Sequence, residues 1–242
     1  MHNPKGSSVI SFLLCSLLLS LAILLMASGT VFPKRDTPTD SPAGNRFTVI
    51  LDPGHGGEDG GAVGHGEVYE KHLNLAIAKE VEALLLQKGI SVVCTRSEDV
   101  LLYDKNVDYK GHKKALDLAA RLKIAKETEN PIFVSIHMNS FSQSQYRGLQ
   151  VYYSANDDRS RLLAQTIQDN TKSLLQQNNN RVIKEASSNI YLLDRIQSPA
   201  VLVECGFLSN AEECALLADP DYQKKLAAVL ADSITQFIAN HS

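Results

Sequence analysis

Apolar residues recur along the chain in two alternating rhythms. Phe47–Leu51 is a short, β-branched-rich run stopped by Asp52-Pro53-Gly54, which predicts a strand. From Glu70 to Lys88, Leu73, Ile77, Val81, Leu84 and Leu85 recur at helical spacing, and Gly89 supplies the stop signal. Ile90–Thr95 predicts a second strand. Ala115–Ala125 predicts a second helix, with Leu116, Ala119, Ala120 and Ile124 on one face. "PIFVSI" at 131–136 has the pattern of a buried strand and "GLQVYYS" at 148–154 that of a half-buried one. Asp157–Leu175 is again helical, "PAVLVE" at 199–204 is another continuously apolar strand, and Tyr222–Phe237 forms a closing helix. Strands alternate with helices, and three strands are apolar on both faces. That pattern predicts a three-layer α/β domain, a mostly parallel twisted sheet flanked by helices on both faces.

The N-terminus follows a different rhythm. Residues 9–27, "VISFLLCSLLLSLAILLMA", are 19 in a row without a charge, preceded by Lys5. About 20 apolar residues span the hydrocarbon core of a bilayer. Residues 1–32 are therefore expected to be a membrane anchor or a signal segment, with Ala27-Ser28-Gly29 as a small-residue cleavage site in the second case. Residues 33–46, "PKRDTPTDSPAGNR", keep no apolar periodicity and are expected to be a linker. A single folded domain is expected over 47–242, outside the cytoplasm.

Composition narrows the class. The 242 residues are 44% apolar and 21% charged, as in a globular protein with one sizeable domain. Formal net charge is −3. Only Lys5, Lys34, Arg35 and Arg46 among basic residues, and Asp36 and Asp40 among acidic ones, precede residue 47, so the domain is more acidic than the whole chain. Such a balance excludes a nucleic-acid partner, whose phosphates would need a basic surface. Cys15, Cys94, Cys205 and Cys214 show no CxxC spacing, so they are expected to be free thiols.

Polar residues then stand out by position. His55 lies past the carboxyl end of the first strand, His137 directly follows "PIFVSI", and Glu204 terminates "PAVLV". In open parallel sheets the binding crevice lies outside the carboxyl ends of the strands. Glu70 begins the first long helix, 15 residues after His55 across a glycine-rich loop that could fold it back to the same rim. Two imidazoles and one carboxylate make a catalytic zinc set with an open fourth position. Asp52, Glu58, Asp59, His65, Glu67 and His72 are rival ligands nearby, and Glu70 could equally be a helix-start acid favoured by the dipole. The loop matches neither phosphate-cradling fingerprint, and no HExxH occurs.

"LDPGHGGEDGGAVG", "EKHLNL", "TR" at 95–96, "FVSIHMNS" and "PAVLVECGFLSNAEE" resemble, in order and spacing, the motifs of the zinc-dependent N-acetylmuramoyl-L-alanine amidases of the Amidase_3 family. The resemblance covers residues 47–240. It implies one zinc per chain held by His55, Glu70 and His137, with Glu204 as catalytic acid/base. The substrate it implies is the amide between the lactyl group of N-acetylmuramic acid and the first L-alanine of the stem peptide, so peptidoglycan strands are the expected partner. Met138 stands where many relatives have Ala. A membrane segment, short linker and bare catalytic domain are similar to members that prepare spore cortex for germination. A vegetative autolysin, a wall peptidase or deacetylase, and an idle wall-binding module are the alternatives. Asn139 and Asn210 are candidate substrate contacts, or else turn and cap residues, while Arg96 and Arg121 are expected to be structural ion-pair partners rather than substrate clamps. With no wall-binding repeat expected, localisation would rest on the N-terminal segment or on an activating partner.

Overall fold

A computed structural model of the protein describes residues 47–103 and 110–241. The apolar run at 9–27, Cys15 and the 33–46 linker lie outside the described residues. Among those described, no helix is long and apolar enough to cross a membrane.

In chain order the elements are β1 (Thr48–Pro53), α1 (Glu70–Gln87), β2 (Ser91–Cys94), α2 (Lys113–Glu127), β3 (Pro131–Asn139) and β4 (Gln150–Tyr153). Then come α3 (Arg159–Leu174), β5 (Lys184–Glu185), α4 (Tyr191–Arg195), β6 (Ala200–Phe207), α5 (Ala211–Ala218) and α6 (Pro220–His241). They build one six-stranded sheet in the order β2-β1-β3-β6-β4-β5. β2, β1, β3 and β6 run parallel, and β4 pairs antiparallel with β6.

Alternation along the central strands explains the three layers. Val49, Leu51, Ile132, Val134, Ile136, Val201 and Val203 face one side and pack against α1, α3, α5 and α6. Ile50, Phe133 and Ala200 face the other and pack against α2 and α4. A strand between two helical layers must be apolar at every position, which is why these three runs show no polar alternation. Fully burying each Val, Leu, Ile or Phe side chain of these sets contributes about 1.5–3 kcal/mol.

The expected elements are present with shifted ends. β3 runs to Asn139 and β6 to Phe207, so His137 and Glu204 lie within their strands and do not follow or terminate them. The partner strand supplies hydrogen bonds past the apolar stretch, and His137 is still paired with Glu204 before the register shifts at Asn139. β5, α4 and α5 escaped the periodicity because two, five and eight residues are too few to display it.

α1 shows how the loop and helix are joined. Tyr69 is the N-cap residue, yet no side chain caps the helix. Loop carbonyls do so: Glu70 N donates to Ala62 O at 2.9 Å and Lys71 N to Gly60 O at 3.3 Å. The helix ends with Gly89 at φ +75°, a left-handed cap, and Ile90 N donates back to Leu85 O at 3.1 Å.

Candidate active site

Four side chains from four elements meet at the carboxyl rim of the sheet. His55 follows β1 with φ +60°, a left-handed conformation that a non-glycine residue adopts only when its surroundings hold it. Glu70 enters from the first turn of α1, His137 from β3, and Glu204 from β6, where it is the register partner of His137.

Glu70 stands at the centre. Its Oε1 lies 2.9 Å from His137 Nδ1, and its Oε2 lies 3.2 Å from His55 Nε2. Backbone amides fix the same carboxylate: Met138 N donates to Oε1 at 3.0 Å and Ala62 N to Oε2 at 2.8 Å. Burial alone would raise its pKa, but hydrogen bonds and charge from His137 and His55 outweigh that and hold it well below the carboxylate range. Burial likewise opposes protonation of His55, and the hydrogen bond and charge of Glu70, with Asp59, reverse the sign and raise it.

One donor atom from each of His55, Glu70 and His137 lies within 4.8 Å of the others, a group able to hold a metal ion. Two imidazole nitrogens and one carboxylate oxygen converging from separate elements fit the donor chemistry of zinc. Close backbone approach makes the convergence possible. A Cβ at Gly54 would overlap the His137 ring, and one at Gly61 would lie 2.5 Å from Glu70 Oε2.

Glu204 has a different environment. Its Oε2 is buried and has no hydrogen-bond partner among the described residues. Burial pushes its carboxyl up to about 7, with the Glu70 charge adding to the rise and the histidines opposing it. A half-buried carboxylate without donors, beside a ligand set, is a group equipped to carry a proton.

The rival ligands lie elsewhere or support the set. Asp52 is buried against Arg121, Glu58 pairs with Lys113, and His72 is exposed with Nε2 3.4 Å from Asp99. Asp59 Oδ1 lies 2.9 Å from His55 Nδ1, on the ring edge away from Glu70. Asn139 ends β3, with its backbone oxygen accepting from Leu208 N. Asn210 caps α5: its Oδ1 accepts from Glu213 N at 3.0 Å and its Nδ2 donates to Ser144 O at 2.8 Å.

Residues 49–236 match the family described as Amidase_3, N-acetylmuramoyl-L-alanine amidase. The chain belongs to this amidase family. The amidase is 35% identical over 224 residues to the germination-specific N-acetylmuramoyl-L-alanine amidase of Bacillus subtilis, covering 92% of this chain and 93% of that one. It is similar to the CwlD amidase of Clostridioides difficile, whose structure was solved in complex with the GerS lipoprotein. That match has a TM-score of 0.75 and 39% identity, over 80% of this chain and 98% of the other. The catalytic domain of CwlV from Bacillus (Paenibacillus) polymyxa var. colistinus matches with a TM-score of 0.66 and 34% identity, over 80% and 98%.

The structure also assigns the amidase residues that spacing did not reveal. Arg121 is fully buried, with Nη1 2.6 Å from Asp52 Oδ1 and Nε 2.7 Å from Asp117 Oδ2. It also donates to Pro53 O at 2.9 Å and to His55 O at 2.8 Å. Arg96 donates to Pro53 O, Gly54 O, Glu98 O and Lys71 O, and Asn74 donates to Gly54 O at 3.1 Å. Two arginines and an asparagine therefore hold three consecutive carbonyls, and through them the strained turn that carries His55. Arg121 is the structural ion-pair partner expected, whereas Arg96 makes no ion pair among the described residues and spends its donors on carbonyls. Cys94, Cys205 and Cys214 are free thiols.

Proposed function

We propose that this amidase binds one zinc ion through His55, Glu70 and His137 and hydrolyses the amide between the lactyl group of N-acetylmuramic acid and L-alanine. The observation that carries the reading is the unpartnered, buried oxygen of Glu204 beside the His–Glu–His group. Bound there, zinc supplies a Lewis acid that polarises a carbonyl and eases deprotonation of water.

The chain's own groups supply the rest. Glu204 takes the proton of the attacking water: burial raises its carboxyl, and no described residue competes for its Oε2. It then returns that proton to the departing alanine nitrogen, without which amine expulsion is slow. Glu70 stays ionised under the backbone amides of Met138 and Ala62, and the Asp59 carboxylate lies 2.9 Å from the other ring nitrogen of His55.

The setting in this reading is spore cortex peptidoglycan and germination, in keeping with similarity to the germination-specific Bacillus subtilis amidase over nearly the full length of both chains. The domain works outside the cytoplasm, with residues 9–27 as its anchor or signal. A protein partner belongs to the proposal, since the similar CwlD amidase was solved with a lipoprotein. Mass spectrometry of muropeptides digested by the protein, with and without a chelator, tests the chemistry. New L-alanine amino termini beside intact lactyl-muramic acid are expected, and only without chelator. Released acetate, or cuts within the peptide, would exclude it.

A further inference from the structure

The geometry points to Arg181 as the group that reads a carboxylate in the peptide half of the substrate, an inference that rests on the amidase reading above. Arg181 lies in the segment between α3 and β5. Its guanidinium carbon lies 4.3 Å from the centre of the Phe207 ring and 5.8 Å from that of Tyr146. Nε donates to Arg147 O at 2.7 Å and Nη1 to Gln150 Oε1 at 3.1 Å. Gln150 is the register partner of Glu204 across the antiparallel β4–β6 pair. Directly opposed residues project to the same side of a sheet, with Cβ atoms about 5 Å apart. The guanidinium is thus tethered to the side chain neighbouring the proposed acid/base.

It has no ion-pair partner among the described residues. Arg121, Arg147, Arg159 and Arg195 each pair with a carboxylate, and Arg96 turns its donors on four carbonyls. Arg181 pairs with no carboxylate among the described residues. Glu213, which feels its charge, has both oxygens occupied by the amides of Gly148 and Phe207, at 2.8 and 2.7 Å. A half-buried cation held over two rings by two hydrogen bonds, with none from Nη2 among the described residues, is preorganised for an external anion. Phe141 and Tyr146, 46% and 40% exposed, leave the approach open and apolar. The substrate supplies the anion on one side only. Once the lactyl carboxyl is locked in the scissile amide, the flanking N-acetylated sugars are uncharged, and the carboxylates reside in the peptide. The planar guanidinium matches such a group bidentately.

The test uses the intact chain and paired soluble muramoyl peptides differing only in whether the peptide carboxylates are free or converted to carboxamides. Wild type should favour the acid form by about tenfold in kcat/KM, mainly through KM, as expected for one charge-assisted contact. Arg181→Gln should collapse that ratio to about one, and Arg181→Lys should fall between, because it keeps the charge and loses the fork. An equal loss on both forms, or no preference in wild type, overturns the assignment. Failure of wild type to cleave either form at the lactyl amide instead overturns the amidase reading, and this inference with it.

Discussion

Two carboxylates share the rim of the sheet, and their surroundings differ in nearly every respect. Glu70, where the glycine-rich loop meets α1, accepts from two backbone amides and lies against two imidazoles. Glu204, on β6, keeps a buried oxygen with no donor among the described residues. Donors hold the first ionised, and burial pushes the second up toward neutrality. Pairs of groups whose environments drive their pKa values apart divide into electrostatic anchor and proton carrier. In the proposed reading, the contrast teaches that the ligand carboxylate is built by surrounding it with donors and the proton-carrying one by withholding them.

The largest effect should come from deleting either carboxylate, with different signatures. Glu204→Ala should lower turnover by between about a hundredfold and ten-thousandfold while zinc stays bound. Glu70→Ala should lose both metal and activity. Elemental analysis beside a muropeptide release assay separates the two, and full turnover in Glu204→Ala would remove it from the chemistry.

Next is the support beneath the ligand side. Arg121→Met leaves the buried Asp52 and Asp117 without their cation, which should cost about 3–5 kcal/mol in denaturant unfolding. It should also weaken metal binding through the His55 turn, whereas a Met substitution at an exposed arginine such as Arg161 should change neither.

A pH series sharpens the same point. Burial would raise the Asp52 pKa, but the Arg121 charge and the hydrogen bonds from Ser135, Thr95 and Arg121 lower it below its ordinary 3.8. A depressed carboxylate stabilises the fold above its unfolded value, and that contribution disappears as pH falls through the folded value. Unfolding free energy should therefore fall with pH below 3.8, and the slope should be shallower in Asp52→Asn. Equal slopes would show that the pair does not govern acid stability.

The smallest expected change is Asn74→Ala, which removes one donor from Gly54 O and a long contact to Glu70 Oε1 at 3.4 Å. A loss of about 1 kcal/mol in stability, with zinc retained, is expected by thermal unfolding. A loss of metal instead would mean that the loop depends on Asn74 as much as on Arg121.

Much of this arrangement was legible beforehand. Apolar runs at 131–136 and 199–204 announced central strands because a two-sided burial requirement acts on every residue of the run. The ends of those strands were not legible, since backbone pairing carried β3 through His137 and β6 through Glu204 after the apolar signal had stopped. β5, α4 and α5 were too short to show a period. His55, His137 and Glu204 stood out by their position after apolar runs, whereas Glu70 looked like any acid at a helix start. Arg121, Arg96 and Asn74 gave no local sign of the carbonyls they hold.

Local patterning was enough to specify the alternating elements, the mostly parallel sheet and the edge at which its chemistry would gather, because burial and backbone periodicity act on neighbouring residues. Which atoms meet was decided only when the chain closed on itself. Met138 N and Ala62 N reach one carboxylate, and Arg121 spans 66 positions of chain to hold the His55 carbonyl, while no described residue meets Glu204 Oε2. Such contacts join segments that share no local rule, so they exist only in three dimensions.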